Sequence, residues 1–139
     1  MNPFSDFMAG NAEQIPNQKI IASTRFKDKK GQPLEWEIRA ITSDENEEIQ
    51  RASMRTVSVS RGKQTKEVDN MVFVYKMAVA ATVYPDLNNA ELQDSYGVKT
   101  PEQLLKKMLY PQEFDRYAQA ILDMAGVESL EDLRKEAKN

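Results

Sequence analysis

Val68-Asp69-Asn70-Met71-Val72-Phe73-Val74-Tyr75-Lys76-Met77-Ala78-Val79-Ala80-Ala81-Thr82-Val83-Tyr84 is the most apolar stretch of the chain, and its reading decides the fold. Val68, Met71, Val72, Tyr75, Val79 and Thr82 fall on one helical face. Phe73, Val74, Met77, Ala80, Ala81 and Val83 cover much of the remainder. A helix apolar nearly all round is buried at the centre of a domain. Pro85 disfavours helix at the residue before it, so the helix is expected to end at Tyr84. Asp69, Asn70 and Lys76 make it too polar, and it is too short, to span a bilayer.

Upstream of this spine, residues 19–27 are rich in β-branched side chains and read as a strand. The cluster Asp28-Lys29-Lys30-Gly31-Gln32-Pro33 reads as a turn. Leu34, Trp36, Ile38 and Ala40 then alternate with Glu35, Glu37, Arg39 and Ile41, the period-2 pattern of a half-buried strand. The result is a β-hairpin over 19–41 with one apolar face. Such a ribbon is marginal alone and must pack on helices or on another chain. Trp36 belongs to that face and reads as core, not as a ligand platform.

From Thr42 or Ser43, with Asp44 and Glu45 behind, a helix start is expected, acids sitting at the positive end of the helix dipole. That helix reads as running to about Val57, burying Ile49, Ala52 and Met54 weakly, with Glu47, Glu48, Arg51 and Arg55 outward. Ser58 to Lys66 reads as a solvated loop with a small basic bias. Its bland reading is preferred to phosphate binding because no aromatic residue is interleaved for stacking.

Downstream, short helices carry clear punctuation. Asn89 to Tyr96 ends at Gly97. Thr100-Pro101-Glu102-Gln103 forms a cap ahead of Leu104, Leu105, Met108 and Leu109. Pro111 opens a helix with the stripe Phe114, Tyr117, Ala118, Ile121 and Leu122, stopped by Gly126. Ser129 caps a last helix bearing Leu130 and Leu133. The fold class is α+β, mostly α: an N-terminal β-hairpin packed on five to six helices around the buried central one. Residues 1–18 read as a flexible arm and 19–139 as a single globular domain (hairpin 19–41, helices 43–139).

In the arm, Phe4, Phe7 and Met8 stand at i, i+3 and i+4, on one side of a short helical turn that Gly10 and Asn11 would stop. This cluster either waits for a partner or docks on its own core. The protein-binding candidates are Phe4, Phe7, Met8, Leu130 and Leu133, the last two from a C-terminal helix expected to be weakly anchored.

The composition restricts the chemistry. In 139 residues there is no Cys and no His, so there is no disulfide, no thiolate zinc site and no imidazole acid–base group. There is no phosphate loop, serine elbow or zinc signature. The run Asp44, Glu45, Glu47, Glu48 lacks the glycine and ligand spacing of a calcium loop. The pairs Asp86 with Glu91 and Glu113 with Asp115 read as surface acids without an acid–base constellation. No catalytic residue, metal or cofactor is expected, and the reading is a binding or assembly protein. Net charge −3 does not call for a polyanionic partner. A nucleic-acid-binding role through Arg51, Arg55, Arg61 and Lys63 is the alternative. The first residues show no basic region followed by an apolar core, so a secretory signal is not expected and the cytoplasm is.

The stretch Val83-Tyr84-Pro85-Asp86-Leu87-Asn88-Asn89-Ala90-Glu91-Leu92-Gln93-Asp94-Ser95-Tyr96-Gly97-Val98 resembles the XkdN-like tail assembly chaperones of phages and prophages of Gram-positive bacteria. Thr100 to Leu109, the Gly126 ending and the hairpin around Arg25–Asp28 and Trp36–Ile41 continue the resemblance, which covers most of residues 17–139. It implies a helper in the host cytoplasm that binds the tape measure protein and assists assembly of the tail tube, with the tube protein as a further partner; self-association is a separate expectation, from the outer edge of the 19–41 hairpin. It implies no catalytic residue and no membrane association. In such phages a longer product often arises by frameshifting near the end of the gene. Ala137-Lys138-Asn139 is compatible with a slippery codon run, which the gene's nucleotides test directly.

Overall fold

The computed structural model describes residues 2–126 and 130–138. In chain order the elements are β1 (Gln18–Ile20), β2 (Trp36–Ile38), α1 (Ser43–Ala52), β3 (Met54–Ser60), β4 (Lys63–Val68), α2 (Asn70–Ala81), β5 (Thr82–Tyr84), α3 (Ala90–Ser95), α4 (Pro101–Met108), α5 (Pro111–Ala125) and α6 (Leu130–Lys138). The architecture is α+β and mostly α, as expected.

The apolar stretch is the spine of the fold, but it divides in two. Helix α2 starts at Asp69, whose side chain accepts the backbone N–H groups of Met71 and Val72. It buries Phe73, Val74, Met77, Ala78 and Ala81, and touches α1, α4, α5 and α6. It stops three residues short of Tyr84. Thr82-Val83-Tyr84 becomes strand β5, paired antiparallel with β2 (Ile38 with Thr82, Glu37 with Tyr84). The β-branched and aromatic side chains favour the extended form. The Thr82 hydroxyl also turns back to the Ala78 carbonyl at 2.6 Å, closing the helix end. A peptide in the cis form joins Tyr84 to Pro85.

The hairpin forms with the expected face and shorter strands. β1 and β2 pair antiparallel, Gln18 with Ile38, Lys19 with Glu37 and Ile20 with Trp36. Sheet order is therefore β1-β2-β5. Trp36 and Ile38 are buried, while Leu34 is partly exposed. The strand expected over 19–27 ends at Ile20 because Ala22 and Ser23 turn into the core. The chain pairs again at Lys27 with Pro33, and the Asp28 carboxylate accepts the N–H groups of Lys30 (2.8 Å) and Gln32 (3.0 Å) to build the turn.

Two expectations about residues 43–66 are corrected. Helix α1 begins as read, with Thr42 and Glu45 capping one another, but ends at Ala52 and not near Val57. Residues 58–66 are not a loop. β3 and β4 form a second antiparallel hairpin, from Met54 with Val68 to Ser60 with Lys63. Its turn is Arg61-Gly62, both with positive φ (43° and 79°), the handedness that follows strand twist. Thr56, Val57 and Val59 resist helix continuation, since β-branched side chains lose rotamer freedom against the preceding turn.

The remaining helices follow their punctuation. Asn89 and Thr100 cap α3 and α4 through the N–H groups of Leu92 and Gln103, Pro101 and Pro111 open α4 and α5, and Gly126 at φ 70° ends α5. The expected cap at Ser129 lies outside the described residues. One hydrophobic cluster runs from Ala22 to Leu133. At its centre Trp36 meets Tyr117 edge-on at 5.1 Å, and Tyr75 stacks on Phe114 at 4.3 Å.

Candidate protein-binding surfaces

The N-terminal residues are held by their own short-range bonds. Asn2 Oδ1 accepts the Phe4 N–H at 2.8 Å, and Asn11 Nδ2 donates to the Ser5 carbonyl at 2.6 Å. They form two 3-10 turns, Ser5–Phe7 and Ala9–Asn11, in place of the single helical turn expected to stop at Gly10. Phe4 is 65% exposed, Phe7 82% and Met8 47%, and Ile15 further along is 65% exposed. These side chains lie outside the hydrophobic cluster.

The C-terminal candidates are placed otherwise. Leu130 (4% exposed) and Leu133 (7%) are buried, and α6 packs on α2 and α5. Gln119 Oε1 accepts the Leu130 N–H at 3.0 Å, Asn70 Nδ2 donates to the Leu133 carbonyl at 3.2 Å, and Arg134 forks onto Asp115 at 2.7 and 3.0 Å. The expectation of a weakly anchored helix is therefore corrected. Its two leucines complete the core and are not free apolar surface.

A cleft that sequence reasoning missed opens beside the three-stranded sheet. It holds about 180 Å³ between Phe26, Leu34, Trp36, Tyr84, Leu92, Tyr96 and Met108. The signal for it was distributed: β2 contributes Trp36, the residues around the 28–33 turn contribute Phe26 and Leu34, and α3 contributes Leu92. No local pattern brings these together.

Next to the cleft stands an ionic junction that was also missed. Glu113, in the first turn of α5, receives Arg25 at 2.9 and 3.2 Å, the Ser23 hydroxyl, and the Tyr110 N–H at 2.9 Å. The Arg25 guanidinium lies 4.6 Å from the centre of the Tyr110 ring and donates to the Met108 carbonyl. Hydrogen bonds from Arg25, aided by Ser23 and the Tyr110 amide, hold the Glu113 carboxyl at about 2 against an ordinary 4.5. Glu113 is thus not the surface acid it was read as, and Asp115 is engaged by Arg134.

The basic residues considered for nucleic acid are dispersed. Arg51 pairs with Glu47 on α1 at 3.7 Å, and Arg55 pairs across the second hairpin with Glu67 at 2.7 Å. Arg61 sits in the hairpin turn and Lys63 opens β4. Among the described residues no group of three or more Asp, Glu, His or Cys side chains could hold a metal ion, and no helix is long and apolar enough to cross a membrane.

Fold and surface together describe a small, mostly helical α+β protein with an uncovered apolar N-terminal segment, an apolar cleft and an exposed basic hairpin. The chain belongs to the XkdN-like phage tail assembly chaperone family, whose model matches residues 4–138. It is 29% identical over 137 residues to the phage-like element PBSX protein XkdN of Bacillus subtilis, covering 97% of this chain and 93% of that one. It is also 29% identical over 137 residues to the uncharacterized protein YqbN of the same organism, with 97% and 92% covered. The fold is similar to that of the crystal structure of the protein YqbN, with a TM-score of 0.75 at 24% identity, over 92% of this chain and 99% of that one.

Proposed function

We propose that the protein binds the phage tape measure protein in the host cytoplasm and keeps it available while tail tube subunits assemble around it. The family supports an assembly role. The observation that carries the choice of a protein client is the exposed aromatic pair Phe4 and Phe7, set in residues with no use for them in the core. In this reading residues 1–18 are an arm carried by a domain formed from 19–139. The arm engages an apolar face of the client, and no chemical step is catalysed. Tape measure proteins are long, and a modest apolar arm suits reversible cover better than a broad hydrophobic patch, which would drive self-association.

Co-expression with the tape measure protein encoded in the same tail gene cluster tests this. The intact chain, carrying a C-terminal affinity tag, is expected to co-purify with it and to raise its soluble fraction. A Phe4→Ser/Phe7→Ser variant is expected to lose most of the captured protein while keeping its own helical circular dichroism. A wild-type chain that captures no tape measure protein overturns the proposal.

A further inference from the structure

Hairpin β3–β4 has no part in the reading above. Its strands pair with one another along their length, yet neither makes extensive contact with another element among the described residues. Met54 and Val59 stay exposed. A two-stranded ribbon by itself is marginal in water. In a sheet of two, each strand also keeps one outer edge without a strand partner among the described residues.

Such edges invite pairing unless they are blunted by lysine, proline or a bulge. Here the blunting is one-sided. β4 carries Lys63 and Lys66, while Thr56-Val57-Ser58-Val59 in β3 contains no charge and no proline. The bulge between Ser58 and Ser60 affects only the turn end. The uncharged part of β3 is β-branched at three of four positions and is suited to the middle of a sheet.

The charge of the ribbon indicates what would join it. Residues 54–68 hold Arg55, Arg61, Lys63 and Lys66 against a single acid, Glu67, inside a chain of net charge −3. Arg55 is occupied by Glu67 and Asp69, at 2.7 and 3.8 Å. Arg61, Lys63 and Lys66 form no ion pair among the described residues. A second copy's hairpin paired edge to edge would leave the cations of both ribbons without a counter-charge. Nucleic acid is disfavoured because the ribbon has no aromatic side chain on which a base could stack. An acidic polypeptide satisfies both the open edge and the unpaired cations.

We propose that β3 accepts an extended acidic segment of a client protein as a third strand, with Arg61, Lys63 and Lys66 supplying the charge complement. Backbone bonds to the β3 edge would hold the segment, and alternate side chains would read the two faces. Arg55 and Val57 lie on one face and Met54, Thr56 and Ser58 on the other. The preferred sequence therefore alternates acids with β-branched residues. This rests on the client-binding reading and names the chemistry of the segment bound.

The experiment uses the full chain and two acetylated peptides, one alternating Glu with Val and Thr, the other with Lys in place of Glu. The Glu peptide is expected to bind, more weakly as salt rises, and to slow amide hydrogen exchange in residues 54–60. Arg61→Glu/Lys63→Glu/Lys66→Glu is expected to weaken it roughly tenfold, three partly exposed pairs being lost. Val57→Glu, which puts a charge like the peptide's own on the edge strand without touching those cations, is expected to weaken it as well. Circular dichroism verifies that both variants fold. Equal binding of the Lys peptide, slowed exchange at β1 or β5 but not β3, or unchanged affinity in both variants overturns the proposal. So does the same protection by an oligonucleotide, or a mass that rises with concentration in wild type and not in the triple variant, which assigns the ribbon to a second copy. Tape measure capture separates the two readings. Capture that persists undiminished in the triple variant removes the ribbon from client binding and leaves the general reading. A Glu peptide seated on β3 with no tape measure captured by wild type does the reverse.

Discussion

Glu113 ties a distant piece of chain, Ser23 and Arg25 before the first hairpin's turn, to the backbone at Tyr110 that opens α5 through one carboxylate. Since its folded pKa of about 2 is below the ordinary 4.5, the ionised form is favoured by folding. The stability this provides is complete above the unfolded value and is lost as pH falls from about 4.5 towards 2. Glu45, held at about 2 chiefly by Arg39, adds to the same window. Glu113→Gln is therefore expected to lower the urea midpoint at pH 7, and the gap to wild type is expected to close across that acid window. A constant gap from pH 7 down to 2 would disprove the assignment. A second residue-scale prediction concerns Asp69, which caps the central helix. Asp69→Ala is expected to cost about 1 kcal/mol in urea denaturation, the usual cost of a lost cap. The sequence reading began this helix at Val68 and passed over the cap at Asp69, although its bonds reach only two and three residues along. The Glu113 junction is not legible in the sequence, because its partners lie 88 and 90 residues away and no local periodicity encodes such a pair.

At the scale of elements, the two ends of the chain behave oppositely although they looked alike as short apolar clusters in polar surroundings. Phe4 and Phe7 remain in solvent, whereas Leu130 and Leu133 fill the face of α2 and α5. Deleting residues 2–12 is expected to change unfolding free energy by no more than about 0.5 kcal/mol, as for surface changes away from the core. Ending the chain after Gly126 is expected to cost about 3 kcal/mol or more, from the burial of two leucines alone. Urea titrations followed by circular dichroism compare the two. Equal effects would contradict the placement of α6. Leu130 and Leu133 recur at a helical spacing, so the existence of α6 was legible. Whether its apolar side has a docking face depends on the surfaces left open by α2 and α5, which the C-terminal residues do not describe. The β3–β4 ribbon illustrates the converse. Thr56-Val57-Ser58-Val59-Ser60 does alternate at period 2, but the facing Lys63 to Glu67 carries no apolar side chain, so the pattern spoke for one strand and not its partner, and Arg61-Gly62 was the remaining sign of a turn.

Across the whole molecule, α2 couples everything packed on it. The sheet reaches it through β5, and Trp36 of β2 rests on Tyr117 of α5, whose hydroxyl lies 2.6 Å from that of Thr82. One contiguous core of this kind is expected to unfold as one unit. Tryptophan fluorescence and far-ultraviolet circular dichroism should give coincident urea transitions, the first reporting the hairpin and the second the helices. Separate midpoints would show that the hairpin and the helical part melt independently. Met77→Ala, at the buried centre of α2, is expected to move both transitions together by about 2–5 kcal/mol.

The sequence by itself determined the central helix, the position of the first hairpin, the caps and stops of α3 to α5, and the family resemblance. Each of these rests on side chains close in sequence or on a contiguous string of residues. Only the tertiary structure decided where α2 yields to β5, that α6 is docked, that residues 54–68 form an uncovered basic ribbon, and that Phe26, Trp36, Leu92 and Met108 enclose a cleft. The physical reason is common to all four. Propensity and periodicity state which face of an element is apolar, but burial is decided by which other surface reaches that face, and that surface comes from elsewhere in the chain.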